Sequence, residues 1–412
     1  MIDAPSSVHP AIVRFPVVNH CIQVGGIPLS RLAKRVGRTP FFAYDRNVIC
    51  QRVKFLRCHL PPEVRLHYAV KANPMPAVVQ YLSGLVDGFD VASAMEMKVA
   101  LDTTTPANHI SFAGPGKSDT DLEQAIAGKV IIELESEGEM RRVAALGAQQ
   151  GIKPCVALRI NPTFAVRGAG MRMGGGAQQF GIDAERIPGI LAEIYDLGLD
   201  FTGFHIFAGS QNLQSDVLVA AFEQTFTLAA NLAKYAQGPL KYLNIGGGLG
   251  IPYFPKDLPL DMELVGSSLA RLVSQFKGQM PGTSIVMELG RYIVGEAGIY
   301  VTKVVDRKQS RGQVFLVTDG GLNHHLAASG NFGQVIRRNY PIAIGNRVDL
   351  EPAEIVTVVG CLCTPLDLLA EKVAVPRAEV GDLIVVFQSG AYGLTASPTA
   401  FLSHPYPPEV LV

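Results

Sequence analysis

Leu66-His67-Tyr68-Ala69-Val70-Lys71-Ala72-Asn73-Pro74 reads as a buried strand brought to an abrupt end. The apolar, β-prone run stops at a lysine, and Asn73-Pro74 turns the chain out of the strand. A lysine at the mouth of a buried strand is expected to be poorly hydrated. That disfavours its charged form and leaves free amine to attack a carbonyl. Taken in isolation, Lys71 reads sooner as a solvated lysine at a strand end. The rest of the chain decides between the two.

The stretch is the first of a series. Short β-branched runs recur at 65–70, 86–92, 109–113, 129–134, 155–160, 201–207, 241–245 and 284–288. Segments with apolar residues at helical spacing separate them, Asp119 to Ala127 and Asp216 to Ala236 among them. Eight such units predict a closed (β/α)8 barrel rather than an open doubly wound sheet, which usually has fewer strands. A barrel carries its chemistry on the loops after the strands. Those loops hold Lys71, Ser93, Gly114-Pro115-Gly116-Lys117, Arg159-Ile160-Asn161-Pro162, His205 with Gly209-Ser210-Gln211, Gly246-Gly247-Gly248-Leu249-Gly250, and Glu288-Leu289-Gly290-Arg291. Polar, glycine-rich or ionisable groups at nearly every turn predict one shared site.

On either side the pattern changes. After Gly298 the runs 299–305, 314–317, 355–359 and 383–387 are strand-like with no long helical stretch between them, which predicts an all-β domain. Residues 1–38 offer a short apolar stretch, Ala11 to Phe15, and a Gly25-Gly26 turn, too little to fold alone. The apolar stretch is expected to pair with the β domain as a strand, and Pro28 to Ala33 to form a short helix with proline in its first turn. The expected division is an N-terminal segment over 1–38, a barrel over 39–296 and a C-terminal β-sandwich or β-barrel domain over 297–412. No repeats or low-complexity linkers interrupt it.

The composition fits. The 412 residues are 48% hydrophobic and only 17% charged, which indicates a well-filled globular core. Zero net charge and a pI near 7.1 argue against nucleic acid or an anionic membrane as partner. No apolar run approaches the ~20 residues of a membrane span, and MIDAPSSVHP lacks the build of a secretion signal. Six sparse cysteines without zinc-ligand spacing are expected to be reduced thiols in the cytoplasm, and no metal site is expected.

The rim groups suggest a cofactor. A turn such as 246–250, lacking side chains, presents backbone N–H groups to an anion, commonly a phosphate. Read alone it is sooner a plain tight turn. Ser210 adds a hydroxyl donor. A phosphate cradle and an amine on one rim point to pyridoxal phosphate (PLP), anchored by its phosphate and bonded to the lysine through its aldehyde. Glu288 facing the pyridine nitrogen would favour the protonated ring and deepen the electron sink. Otherwise it pairs with Arg291 to tie down the last strand. His205 lies against the ring or is a hydrogen-bonded core histidine.

In these motifs the chain resembles the fold-type III PLP-dependent decarboxylases, the ornithine, diaminopimelate and arginine enzymes related to alanine racemase. YAVKAN (68–73), FDVAS (89–93), GFHIFAGSQ (203–211), NIGGGLG (244–250), ELGR (288–291), GCLCTPLD (360–367) and GAYG (390–393) occur in that family's order. The resemblance implies that Lys71 holds the cofactor aldehyde and His205 lies against the ring, with Arg159 supporting the phenolate. It places Glu288 at the pyridine nitrogen, and Ser210, Gly247, Gly248, Leu289, Gly290 and Arg291 around the phosphate. Tyr392 would approach from the β domain. Cys363 would donate a proton across the interface of a homodimer with shared sites. Racemases of this fold set arginine against the ring nitrogen, so the carboxylate favours decarboxylation.

Departures from the motifs concern the substrate. Diaminopimelate and ornithine decarboxylases follow the cysteine with glutamate or aspartate; here Thr364 stands there, followed by Pro365. Gly321 to Ala328 resembles a diaminopimelate-enzyme loop but has Ala327 in place of its carboxylate-binding arginine. Losing such a partner costs a matched substrate on the order of 2–5 kcal/mol. Residues 168–181, CTPLD and 401–412 look more like the decarboxylases of exosortase systems, or those acting on carrier-protein-linked amino acids. Substrate contacts are expected from Arg291, Asn323, His324 and Thr364. His324, His325, Arg337 and Arg338 either read an anionic or tethered substrate or are ordinary surface residues. The expected activity is α-decarboxylation of an amino acid, free or carrier-linked. The alternatives are a racemase of the same fold, a non-catalytic PLP-binding protein and, last, a cofactor-free aldolase.

Overall fold

Eight parallel strands close on themselves. They are β1 (Val64–Ala69), β2 (Gly88–Val91), β3 (Ile110–Phe112), β4 (Ile131–Leu134), β5 (Cys155–Asn161), β6 (Asp200–Ile206), β7 (Tyr242–Asn244) and β8 (Ser284–Leu289). Each pairs with the next, β4 with β5 through Ile132 and Val156, and β8 returns to β1 with Glu288 opposite His67. The expected barrel is there, each strand within a residue or two of its expected place. The structure is a computed structural model that describes residues 9–165, 171–172, 174–332, 334 and 336–412. Most of the N-terminal decapeptide and part of the 168–181 motif lie outside them.

The strands are buried almost throughout, as in a sheet covered on both faces, with Val, Ile, Leu and Phe interrupted by buried polar residues such as Asp90, Glu133, His205 and Glu288. Ser93 and Ser136, just past β2 and β4, accept the backbone N–H of the third helical residue and start helices Ala94–Leu101 and Glu137–Gln150. Ser118 and Asp121 form a reciprocal capping box for Asp119–Gly128. These caps set the strand-to-helix turns on the rim where the strands end. Among the described residues no helix is long and apolar enough to cross a membrane.

The chain divides into two compact units. One comprises Arg52–Ile251 and Leu258–Tyr292 and holds the barrel. The other comprises the residues up to Gln51, Pro252–Asp257 and Ile293–Val412. Its centre is the long strand Gly298–Ser310. The first half of that strand lies between Phe41–Tyr44 and Leu383–Val386, and its second half pairs with Gln313–Thr318. Glu354–Val359, Leu368–Val375, Ile342–Ile344 and Glu409–Leu411 complete a mixed sheet. Its core gathers Phe15, Ile22, Val24, Leu29, Phe41, Ile299, Val301, Val385 and Phe387. Each such side chain removed from water contributes roughly 1.5–3 kcal/mol.

Three local readings change. Pro10–Val13 is a helical turn rather than a strand, because Pro10 pre-sets its first position and His9 accepts the N–H of Ala11. The second helix runs Leu29–Val36 with Pro28 just ahead of it, and stops at Gly37 in the left-handed region, φ 89°. Phe41–Tyr44, expected to begin the barrel, is hydrogen-bonded between Gly298–Val301 and Glu409–Leu411 in the other sheet. Leu368–Val375 escaped notice because bulges and Lys372 at φ 51° break its alternation.

Candidate active site

β1 ends at Ala69, and a 3-10 turn, Val70–Ala72, carries Lys71. The turn is braced by the Tyr68 hydroxyl, which donates to the Asn73 carbonyl at 2.9 Å. Lys71 lines a cavity with Asp90, Val91, Ala92, Ala113, Arg159, His205 and Glu288. The side chain of Lys71 is exposed while Val70 and Ala72 are buried, where a strand-end lysine was expected to be poorly hydrated. The strand ends two residues before Lys71, and the charge around that lysine belongs to its cavity neighbours.

That charge is negative and layered. Glu288 at the end of β8 is buried and accepts the Asn244 amide N–H at 3.1 Å. Burial raises its pKa, but His205, Lys71 and Arg159 outweigh burial and hold it well below the usual carboxylate range. His205 on β6 is 1% exposed, with Nδ1 2.5 Å from Glu133 Oε2 and Nε2 3.6 Å from Glu288 Oε2. Burial pushes the imidazole down, yet Glu133 and Glu288 together carry its pKa up to about 10. Asp90, bonded by Ser111 Oγ, is pushed upward by burial and by Glu288.

Arg159 is fixed from below. Its guanidinium donates to Glu135 Oε1 at 2.9 Å and lies over the Phe180 ring. Glu135 also accepts the N–H groups of Gly114 and Gly181. Both oxygens of the buried Glu135 thus accept hydrogen bonds, which helps such a pair to be tolerated.

The glycine turn after β7 is tied to both neighbours. Gly246 donates to Asn244 Oδ1 and accepts from the Glu288 N–H, and Gly248 accepts from the Asn212 N–H. Gly246 and Gly248 sit at φ 67° and 87°, where side chains are strained. A Cβ at Gly247 would lie 2.0 Å from the Glu288 carbonyl oxygen, and one at Gly248 2.6 Å from that of Gly209. Beside them the buried Ser210 Oγ has no hydrogen-bond partner. A buried hydroxyl without a partner, next to backbone that admits only glycine, fits the phosphate of PLP. Leu289 is buried, Gly290 packs its backbone on Ala72, and Arg291 opens the short helix Arg291–Val294.

The remaining predicted residues belong to the other unit. Cys363 is an exposed free thiol, and Thr364 Oγ1 accepts the Leu366 N–H. Tyr392 is half-buried at φ 52°. Asn323 is fully buried, its amide 3.1 Å from His324 Nε2. His324 and His325 are neither surface residues nor charged. Burial lowers them to about 4 and about 3. Arg337 is spent on the carbonyls of Ser329 and Leu368 and on Asn339, whereas Arg338 is exposed over Phe254.

Sequence reasoning missed Glu133, Glu135, Tyr242 and Asn244, and gave Asp90 no role. A signal existed: Ile131-Ile132-Glu133-Leu134-Glu135 puts two acids on one face of an otherwise apolar strand. Buried acids on one face require partners.

Comparison with known proteins agrees with this geometry. Residues 46–295 match the model of the pyridoxal-dependent decarboxylase, pyridoxal binding domain. The L-glutamyl-[BtrI acyl-carrier protein] decarboxylase of Niallia circulans is 36% identical, over 93% of this chain and 90% of its own. A Staphylococcus aureus enzyme, 2-[(L-alanin-3-ylcarbamoyl)methyl]-2-hydroxybutanedioate decarboxylase, is 32% identical over 89% and 92%. The lysine decarboxylase of Selenomonas ruminantium superposes with a TM-score of 0.78 at 27% identity, covering 93% of this chain and 95% of its own.

Proposed function

The chain belongs to the pyridoxal-dependent decarboxylase family and is a PLP-dependent amino-acid decarboxylase; from that premise we propose that its substrate is an amino acid joined to a larger group through its side chain. Two relatives support the reading, since one acts on a glutamyl group held by a carrier protein and the other on an alanine linked through a carbamoyl group. So do Thr364 and the buried Ala327, which put neutral groups where the resembled enzymes place charged partners for a free diamino acid.

The residue roles follow. Lys71 holds the aldehyde of the cofactor, and Ser210 with the turn 246–248 receives the phosphate, helped by Leu289, Gly290 and Arg291. Glu288 would serve the ring nitrogen as a carboxylate, and His205 and Arg159 would help to hold the ring. Bound there, PLP supplies a sink for the electron pair left at Cα when the carboxylate departs. Cys363 of a partner subunit would be the proton donor in a homodimer, and Tyr392, Asn323, His324 and Thr364 would serve the substrate. Six free cysteines support a reducing, cytoplasmic location; active enzyme recovered only from an exported fraction would contradict it.

The observation that carries the roles is a buried Glu288 lining the same cavity as Lys71, its carboxyl held below the usual range by His205. Borohydride reduction of the PLP-loaded protein followed by peptide mapping is expected to mark Lys71. A mark on another lysine, or none, overturns the assignment. Release of CO2 is expected from side-chain-conjugated amino acids; faster release from free diaminopimelate, lysine or ornithine overturns the substrate.

A further inference from the structure

His205 is gripped on one side only. Glu133 Oε2 takes Nδ1 at 2.5 Å, whereas Nε2 is buried, finds no hydrogen-bond partner and lies 3.6 Å from Glu288. Glu133 is 0% exposed, and Tyr242 donates its hydroxyl to the other carboxylate oxygen at 3.3 Å. We propose that Glu133 is a positioning residue: by accepting the Nδ1 proton it keeps His205 a doubly protonated imidazolium, with its second N–H turned to the Glu288 side of the cofactor pocket. The proposal rests on the PLP reading for the pocket's contents, but its claim about His205 stands on this chain alone.

The physical argument is one of neighbours. A histidine enclosed by barrel walls loses hydration, which favours the neutral ring. A neutral ring with its proton on Nδ1 would leave Nε2 a bare acceptor facing the Glu288 carboxylate, two acceptors with no proton between them. The inner carboxylate removes that conflict. It holds one proton, and its charge stabilises the second. Titratable groups surround the ring from several strands. Lys71 lies beyond β1 and His67 on it, Asp90 is on β2, Arg159 on β5, Tyr242 on β7 and Glu288 on β8. Burial lowers the imidazole pKa, and the carboxylates of Glu133 on β4 and Glu288 on β8 outweigh it.

The consequence is chemical. An imidazolium places a positive charge and a proton donor beside the ring where decarboxylation leaves its electrons, so Glu133 acts on the reaction through His205 rather than by touching substrate. Glu133 also explains an otherwise costly feature, a fully buried acid near the barrel axis.

The test compares wild type with Glu133→Gln and Glu133→Asp, as PLP-loaded full-length protein and after removal of the cofactor. The ring nitrogens of His205 are followed by 15N-histidine NMR, assigned with His205→Gln. In the wild type they should keep imidazolium shifts up to about pH 9. Glu133→Gln retains an acceptor but not the charge, and should lower that titration by about one to three pH units. Its visible cofactor band should then gain a pH transition absent from wild type, and kcat should fall about tenfold or more with little change in KM. Glu133→Asp should restore the wild-type titration in part. A neutral His205 at pH 7–8 in wild type, or a Glu133→Gln titration and band like those of wild type, overturns the proposal. Failure of wild type to form any visible band refutes the cofactor reading instead, and leaves the His205 titration to decide this one.

Discussion

Substituting Gly247 by alanine tests the cradle most sharply. The added Cβ would stand 2.0 Å from the Glu288 carbonyl oxygen and 2.8 Å from Leu289 Cδ2, so the first contact is 1.4 Å inside the 3.4 Å at which ordinary contact begins. The leucine can rotate. The carbonyl belongs to the end of β8, which is held by the bond from the Glu288 N–H to the Gly246 carbonyl. Relief therefore comes only by prising the glycine turn off β8, and overpacking of this kind costs about 1–3 kcal/mol. The variant relaxes by letting the turn move, and the cradle opens. To hold PLP it must return to the strained arrangement, so the same energy reappears as a Kd raised roughly 5- to 150-fold. The assay is titration of the stripped protein with PLP, followed by its visible band, beside a thermal melt. Gly116→Ala, whose Cβ would meet nothing within 4 Å, serves as control and should match wild type. If Gly247→Ala binds PLP as wild type does, the turn does not cradle the cofactor and the site assignment built on it fails.

Two further outcomes follow. His324 and His325 are lowered by burial to about 4 and about 3 from an ordinary 6.5, so below pH 6.5 the unfolded chain takes up protons that the folded one refuses. Stability from this pair is complete above pH 6.5 and drains away as pH falls toward those values; His325→Gln should make the melting temperature fall less steeply from pH 6.5 to 4, and an equally steep fall would refute the assignment. Mixing inactive Lys71→Ala with inactive Cys363→Ala protein should restore roughly a quarter of the activity if subunits exchange and each site draws on both chains; no recovery after verified exchange would refute the shared site.

The eight barrel strands were readable because each is a short buried run bounded by turn signals, and the barrel rule then placed Lys71, His205, Gly247 and Glu288 on the rim. Phe41–Tyr44 carries the same β-prone signal as those strands, yet it belongs to the other sheet. Periodicity identifies a strand but not its neighbour, since pairing depends on partners more than two hundred residues away. The sequence left His324 and His325 as either substrate contacts or surface residues; only packing against Tyr300, Tyr340 and Ser389 shows them buried.

By itself the order of residues determined the succession of strands and helices and the chemical kinds gathered on one rim. Both follow from local rules, alternation, capping and turn chemistry, that act within a few residues. Tertiary structure alone decided charge. It left Lys71 exposed where a strand-end lysine suggested burial, and it set Glu133 behind His205 from a strand seventy residues earlier. The reason is that a proton's affinity for a side chain depends on what surrounds it in space, and along the chain those surroundings are scattered over the whole barrel.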